Sequence, residues 1–220
     1  MVAWDANPSA LTRCAENLFL NGISHRARFV LGFASSRCGE ELDFYTVGTG
    51  KAGSRYPGHA RTASSRGSVI RTCSLTIDQV AADLDLRPDL VKIDVEGAES
   101  DTLEGAVVLA KSQSPPRIMV EMHAPPELPM VENCNRVLAW CAKTRYAAYY
   151  LKEHKRIISP DALAHRGRCH LLLLPEGALY PQWLTTIAEY ISIETGMAAY
   201  QAHKKDASRP PATSALANSG

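Results

Sequence analysis

Two stretches of this 220-residue chain bring acidic and imidazole side chains together at spacings that suit proton transfer. Val91-Lys92-Ile93-Asp94-Val95-Glu96-Gly97-Ala98-Glu99 delivers three carboxylates as soon as a short apolar run ends. Arg117-Ile118-Met119-Val120-Glu121-Met122-His123 ends a second apolar run with a glutamate and a histidine two residues apart. Side chains two apart on a strand share a face, and in an open parallel sheet ligands lie beyond the carboxyl ends of the strands. Asp94 and Glu96 on one strand, with Glu121 and His123 on its neighbour, would therefore surround one cleft. A histidine with an ordinary pKa of roughly 6.5 is a suitable general base near neutral pH, and Glu121 is the partner that this spacing offers to orient it. The same four side chains are also donors for a divalent cation in a hydrolase or an assisted transfer. A plainer alternative has Asp94 capping the next helix and the glutamates facing water, with Glu99 in that helix's first turn where the dipole favours an acid.

The elements that must position these groups are legible in order. Residues 2–5 read as a strand, after which Ala6-Asn7-Pro8-Ser9 turns the chain into a helix running to Leu20, with Asn7 or Ser9 as its cap. Residues 28–33, 41–47 and 69–73 read as strands, and a helix follows from Ser74 or Thr76 to about Leu84. The acidic strand covers 90–93, a helix covers Leu103 to Ala110, and Ser114-Pro115-Pro116 breaks the chain before the second polar-ended strand. A helix over 130–144 presents Val131, Cys134, Leu138 and Cys141 for packing, and strands at 146–151 and 169–174 close the series. Gly48-Thr49-Gly50-Lys51-Ala52-Gly53 spells a nucleotide-binding glycine pattern, but no amphipathic helix follows it. Residues 48–68 are instead expected to form a mobile lid whose Arg55, Arg61 and Arg66 face solvent or an anionic acceptor.

Composition narrows the choices. Hydrophobic residues at 45%, charged residues at 21% and a formal charge of +1 describe a globular chain with no bulk electrostatic case for nucleic acid or an anionic membrane. The six cysteines show neither a CxxC pair nor a Cys/His ligand spacing, so they read as reduced thiols of a cytoplasmic protein, with no metal site of their own. No apolar run approaches the ~20 residues of a membrane span, and no signal peptide opens the chain.

Taken together, "VAWDANPSALTRCAENLFLNG", "DLVKIDVEGAESDTLEGA" and "PPRIMVEMHAP", in that order, resemble the FkbM family of S-adenosylmethionine-dependent methyltransferases over residues 1 to about 150. The resemblance implies a class I, Rossmann-like α/β sheet with helices on both faces. It also implies S-adenosylmethionine as cofactor and O-methylation of a hydroxyl on a sugar or other small molecule. Asp5 matches the family's ribose-binding acid, beside Asn7. The loop Ala34-Ser35-Ser36 stands where related chains meet the adenine, here through backbone or hydroxyl groups. Asp94 would lie near the cofactor's charged end or the acceptor, Glu96 would hold the acceptor or assist the base, and "LTID" (75–78) would pack beside the site.

In that family a first strand with its glycine-rich turn precedes the strand that ends here in Asp5. The chain therefore reads as N-terminally truncated, lacking a central strand between those ending in Asp5 and Asp94. An inactive remnant serving as a binding module is the non-enzymatic alternative. The expected organisation is a methyltransferase domain over 1–185, a helix over 186–202 and a disordered tail over 203–220.

Overall fold

β-branched and aromatic residues in Val2–Asp5 (β1) and Arg28–Leu31 (β2) form a parallel pair, joined by the helix Pro8–Leu20 (α1). This computed structural model describes residues 1–48, 53–186 and 193–207, and it is mixed α/β. Asn7 caps α1 by accepting the Ser9 N–H, and Pro8 fills the first turn, as the sequence implies. After Gly32, Phe33–Ala34 (β3) leaves β1 and pairs with Val69–Leu75 (β5), which also pairs antiparallel with Glu41–Tyr45 (β4). Gly32 allows this change of partner, because a Cβ there would lie 3.0 Å from the Cys73 carbonyl oxygen. Arg61–Ser65 (α2) lies between β4 and β5.

The second half builds a five-stranded sheet. Leu90–Ile93 (β6) is parallel to Arg117–His123 (β7), and Arg168–Pro175 (β10) inserts antiparallel between β7 and Tyr146–Tyr150 (β8), with Lys155–Ile157 (β9) at the far edge. The bounds of β6 and β7 are those expected from sequence, whereas β9 and α2 were not anticipated. Ile118, Val120 and Met122 on one face of β7 and Leu171 and Leu173 of β10 are buried against Met130–Thr144 (α6). There Trp140 packs on the Tyr146 ring, with centroids 5.1 Å apart, and the Tyr146 hydroxyl donates to the Pro116 carbonyl. Cys134, Cys141 and Cys169 belong to this core, and burial pushes their thiols up to about 11, 12 and 12. All six cysteines are free.

Among the described residues the strands form three sheets, where the resemblance implies one class I, Rossmann-like sheet with helices on both faces, missing a central strand. Among the described residues β1 and β6 are not hydrogen-bonded to each other. Residues of both line the same cleft, so the strand ending in Asp5 and the strand running into Asp94 face one another across it.

"LTID" has a structural task. Thr76 caps Ile77–Asp83 (α3) by accepting the Gln79 N–H. Asp78 reaches over to accept the Val108 and Leu109 N–H groups at the start of Val107–Ala110 (α5), at 2.9 and 2.8 Å. Asp78→Ala is expected to cost about 1–2 kcal/mol, read as a lower denaturant midpoint at unchanged slope.

Contacts divide the chain at Leu179, a few residues before the boundary expected at 185. In the second unit Ile193–Ala207 (α7) takes the place of the helix expected over 186–202 and includes the first residues of the expected tail. Residues 208–220 of that tail lie outside the described residues. No described helix is long and apolar enough to cross a membrane.

Candidate active site

The turn after β6 determines the site's geometry. Glu96 and Gly97 both adopt positive φ, +50° and +107°, which reverses the chain within two residues and starts Glu99–Glu104 (α4) directly behind the strand end. Position 97 must be glycine, since a Cβ would approach Pro125 Cγ to 2.8 Å in a conformation that L side chains rarely adopt.

This reversal buries Glu99 completely, at 0% exposure. Its Oε1 accepts the Gly97 N–H at 2.9 Å and meets His123 Nδ1 at 2.8 Å, while Oε2 accepts Asn133 Nδ2 at 2.9 Å. Asn133, from α6, also donates to the His123 carbonyl at 3.0 Å. An ionised carboxylate only accepts, so Nδ1 carries the proton and Nε2 is the nitrogen left for chemistry. His123 Nε2 lies 3.4 Å from Glu96 Oε2 and 3.7 Å from Glu121 Oε1. Burial lowers the His123 pKa, but the hydrogen bond and charge of Glu99, joined by Glu96 and Asp94, outweigh it and leave it raised.

Glu121 was expected to orient His123, and the structure assigns that contact to Glu99. Glu121 is the hub of a separate cluster, meeting His170 Nε2 at 3.1 Å, Arg168 at 3.3 Å and Lys92 at 3.4 Å. The register explains this: His170 stands opposite Glu121 on β10, and Arg168 opposite His123. Burial raises the Glu121 pKa, yet His170 and Lys92 overcome it and hold it below the usual value. Glu99 does stand in the first turn of α4, as expected, but it is buried and does not face water.

Three further residues were missed. Asn133 lies on the buried stripe of α6 with Met130, Val137 and Trp140, and a polar residue on that stripe is the signal that could have marked it. Ser54 and His59 come from the expected lid, most of whose described part is tied down. The Ser54 hydroxyl donates to the Glu96 carbonyl at 2.8 Å, and His59 Nε2 meets Glu96 Oε2 at 2.7 Å. The Gly58 N–H reaches Glu127 at 2.6 Å, and Arg55 pairs with Asp101 at 2.6 Å while lying over the Phe33 and Tyr56 rings. Arg61 donates to the Gly58 carbonyl. Nothing in the local pattern of this glycine- and arginine-containing segment announces these contacts; residues 49–52 lie outside the described ones.

The cleft between β1 and β6 has a volume of about 950 Å³ and is lined by Asp5, Phe33, Ala34, Asp94 and Glu96, among others. Asp5 accepts the Asn7 N–H at 2.7 Å; burial raises its pKa against that hydrogen bond. Of the other residues expected at a cofactor, the Ala34 carbonyl is already taken by the Thr102 hydroxyl. Asn7 is buried and spends its amide on Thr46 and Gly48. Ser35 is buried with its N–H on the Leu75 carbonyl, and Ser36 is exposed. Asp5, Ala34 and Asp94 thus meet at the cleft, while Asn7 and Ser35 brace the segments beside it. Donor atoms of Asp94, Glu96 and His123 all lie within 4.8 Å of one another, close enough to share a divalent cation; the cation recorded beside Asp94 is the Lys92 ammonium, 3.1 Å away.

The Methyltransferase FkbM domain family matches residues 6–151, which include Asp94, Glu96, Glu99, Glu121, His123 and Asn133. The chain belongs to the FkbM methyltransferase family. No curated protein and no solved structure matches it. In this FkbM domain the matched range holds every member of the buried Glu99–His123–Asn133 set and the Ser54–His59 segment, and Asp5 lies one residue ahead of it.

Proposed function

We propose that this FkbM domain transfers a methyl group from S-adenosylmethionine to a hydroxyl oxygen of a sugar or other small-molecule acceptor. The observation that carries the reading is His123, held through Nδ1 by a fully buried carboxylate so that Nε2 faces the acidic cleft-side residues. The residues fit the cofactor's chemistry: Asp5 offers a carboxylate for ribose hydroxyls, and the cleft is within the ~300–1,000 Å³ usual for small-molecule sites. S-adenosylmethionine supplies an electrophilic methyl on a cationic sulfonium. The carboxylates of Asp94 and Glu96 favour a positive charge in their vicinity.

Displacement at a methyl group requires alignment of the attacking oxygen with the bond that breaks, so most of the rate comes from holding the acceptor in place. His123 Nε2 accepts the hydroxyl proton as the oxygen attacks, and Glu99 stabilises the imidazolium that results. Glu121, two residues before His123 on β7, engages Lys92 and His170.

Incubation with tritiated methyl donor and a panel of polyols and monosaccharides tests the reading. It predicts label in base-stable methyl ethers; label confined to other positions, or none, contradicts it. Asp5→Ala is expected to weaken S-adenosylhomocysteine binding about tenfold, the loss of a charged hydrogen bond to the ribose, measured by calorimetry.

A further inference from the structure

His123 is almost closed to water, at 5% side-chain exposure, and its Nδ1 proton is committed to the fully buried Glu99. A proton on Nε2 is well accommodated. Glu96 Oε2 lies 3.4 Å away to accept it, and the carboxylates around the ring outweigh burial and raise its pKa. What burial restricts is the passage of that proton to and from solvent. A general base takes up a proton in each cycle and must lose it before the next. The ring needs an outlet that its own exposure does not supply.

Three carboxylates stand near Nε2, and their partners differ. Glu121 Oε1, at 3.7 Å, also faces the Arg168 guanidinium at 3.3 Å; burial raises the Glu121 pKa, but His170 and Lys92 hold it below the usual value. Asp94 pairs with the Lys92 ammonium at 3.1 Å. Glu96 is different. Among the described residues its carboxylate meets no lysine or arginine, and Oε2 faces two imidazoles, His123 Nε2 at 3.4 Å and His59 Nε2 at 2.7 Å. One oxygen is thus shared between a buried ring and a ring whose side chain is 28% exposed. The two rings pack edge-on, with centroids 5.6 Å apart. The segment that carries His59 is fixed in place by the Ser54 hydroxyl on the Glu96 carbonyl, the Gly58 N–H on Glu127 and Arg55 on Asp101.

We infer that Glu96 and His59 form the path by which the buried His123 exchanges its Nε2 proton with solvent, with His59 as the outlet. The use of this path in turnover rests on the methyl-transfer reading, whereas the path itself is a property of the three side chains. The His123 Nε2–H bond breaks as the proton passes to Glu96 Oε2. The carboxyl O–H bond breaks in turn as the proton reaches Nε2 of a His59 ring that carries its own proton on Nδ1. The His59 imidazolium then releases the Nδ1 proton to water, and exchange with water returns the ring to its starting tautomer. One proton leaves, and nothing is oxidised or reduced. His59 acts through Glu96 and does not touch the reacting atoms.

The test follows the exchange of the two His123 ring protons with water by NMR, on the full chain carrying isotope-labelled histidine. His59→Phe keeps a ring edge-on to His123 but carries no proton, so it should slow exchange of the Nε2 proton about 10²-fold, the low end of what a positioned acid–base group contributes. The Nδ1 proton, enclosed by Glu99, should keep its rate and so report an intact fold. His59→Gln, whose amide can still donate to Glu96, should be as slow as His59→Phe, and imidazole added to the buffer should restore the rate in both. His170→Phe should leave Nε2 exchange as it is. In methyl-transfer assays His59→Phe should slow the later turnovers more than the first, again with rescue by imidazole. Unchanged Nε2 exchange in His59→Phe, a rate that His59→Gln restores, a loss that imidazole does not rescue, or slowing by His170→Phe overturns the outlet. Methyl transfer with unchanged exchange leaves the methyltransferase reading standing and the outlet refuted. Slowed and rescued exchange without methyl transfer to any acceptor upholds the outlet and counts against that reading.

Discussion

Glu99→Ala is expected to cost the fold about 3–5 kcal/mol, among the larger losses that a single substitution produces. The carboxylate is fully buried and receives donors from the Gly97 backbone, His123 Nδ1 and Asn133. Removing it leaves three donors in an environment that water does not reach, each costing about 1–3 kcal/mol unless the structure relaxes. The loss should appear as a lower midpoint in urea at unchanged slope. A shift worth under about 1 kcal/mol would mean that the three donors find other partners and that Glu99 is not what holds the site. Glu99→Gln is not a substitute, because its amide nitrogen would set a donor against either His123 or Asn133.

The second large effect is on catalysis. His123→Asn keeps an amide N–H near the place of Nδ1 to satisfy Glu99, but supplies no base, so turnover should fall about 10²–10⁴-fold. Affinity for S-adenosylhomocysteine should change less than about twofold, since no step of cofactor binding is assigned to the imidazole. His123→Ala should lower turnover at least about tenfold as well, with an added stability loss from the orphaned Glu99. The pH profile has a definite sign. Activity requires the neutral ring, and because the carboxylates raise the His123 pKa, the acid limb of kcat/KM should have its midpoint above the ordinary histidine value of roughly 6.5. Glu99→Gln removes the largest raising influence and leaves burial opposed only by Glu96 and Asp94, so the limb should move to lower pH. A limb that stays in place, or a turnover unaffected by His123→Asn, takes His123 out of the mechanism.

The parts of this account that were legible in the sequence are those written in local pattern. β6 and β7 occupy the expected residues, α6 spans Met130–Thr144 as its periodicity implies, and Asn7 caps α1. Asp94, Glu96 and His123 do converge, with Glu96 brought there by the positive-φ turn after β6 instead of by strand period, while Glu121, two residues before His123 on β7, is engaged by Lys92, Arg168 and His170. What was not legible depends on contacts between distant segments. The choice of Glu99 over Glu121 as the partner of His123 follows from the two positive-φ residues, which turn α4 back behind the strand. The capture of Glu121 follows from the register of β10, a strand that arrives 45 residues or more later in the chain. His59 and Ser54 are placed by a segment without periodicity, so no pattern argument could have reached them.

The most direct test of the central claim is calorimetric titration of the wild-type chain with S-adenosylhomocysteine. A single site is expected, with a dissociation constant in the micromolar range, about −8 kcal/mol, weakened by Asp5→Ala and unaffected by His123→Asn. No heat of binding, or binding indifferent to Asp5, would contradict the assignment of the cleft between β1 and β6 as a methyl-donor site.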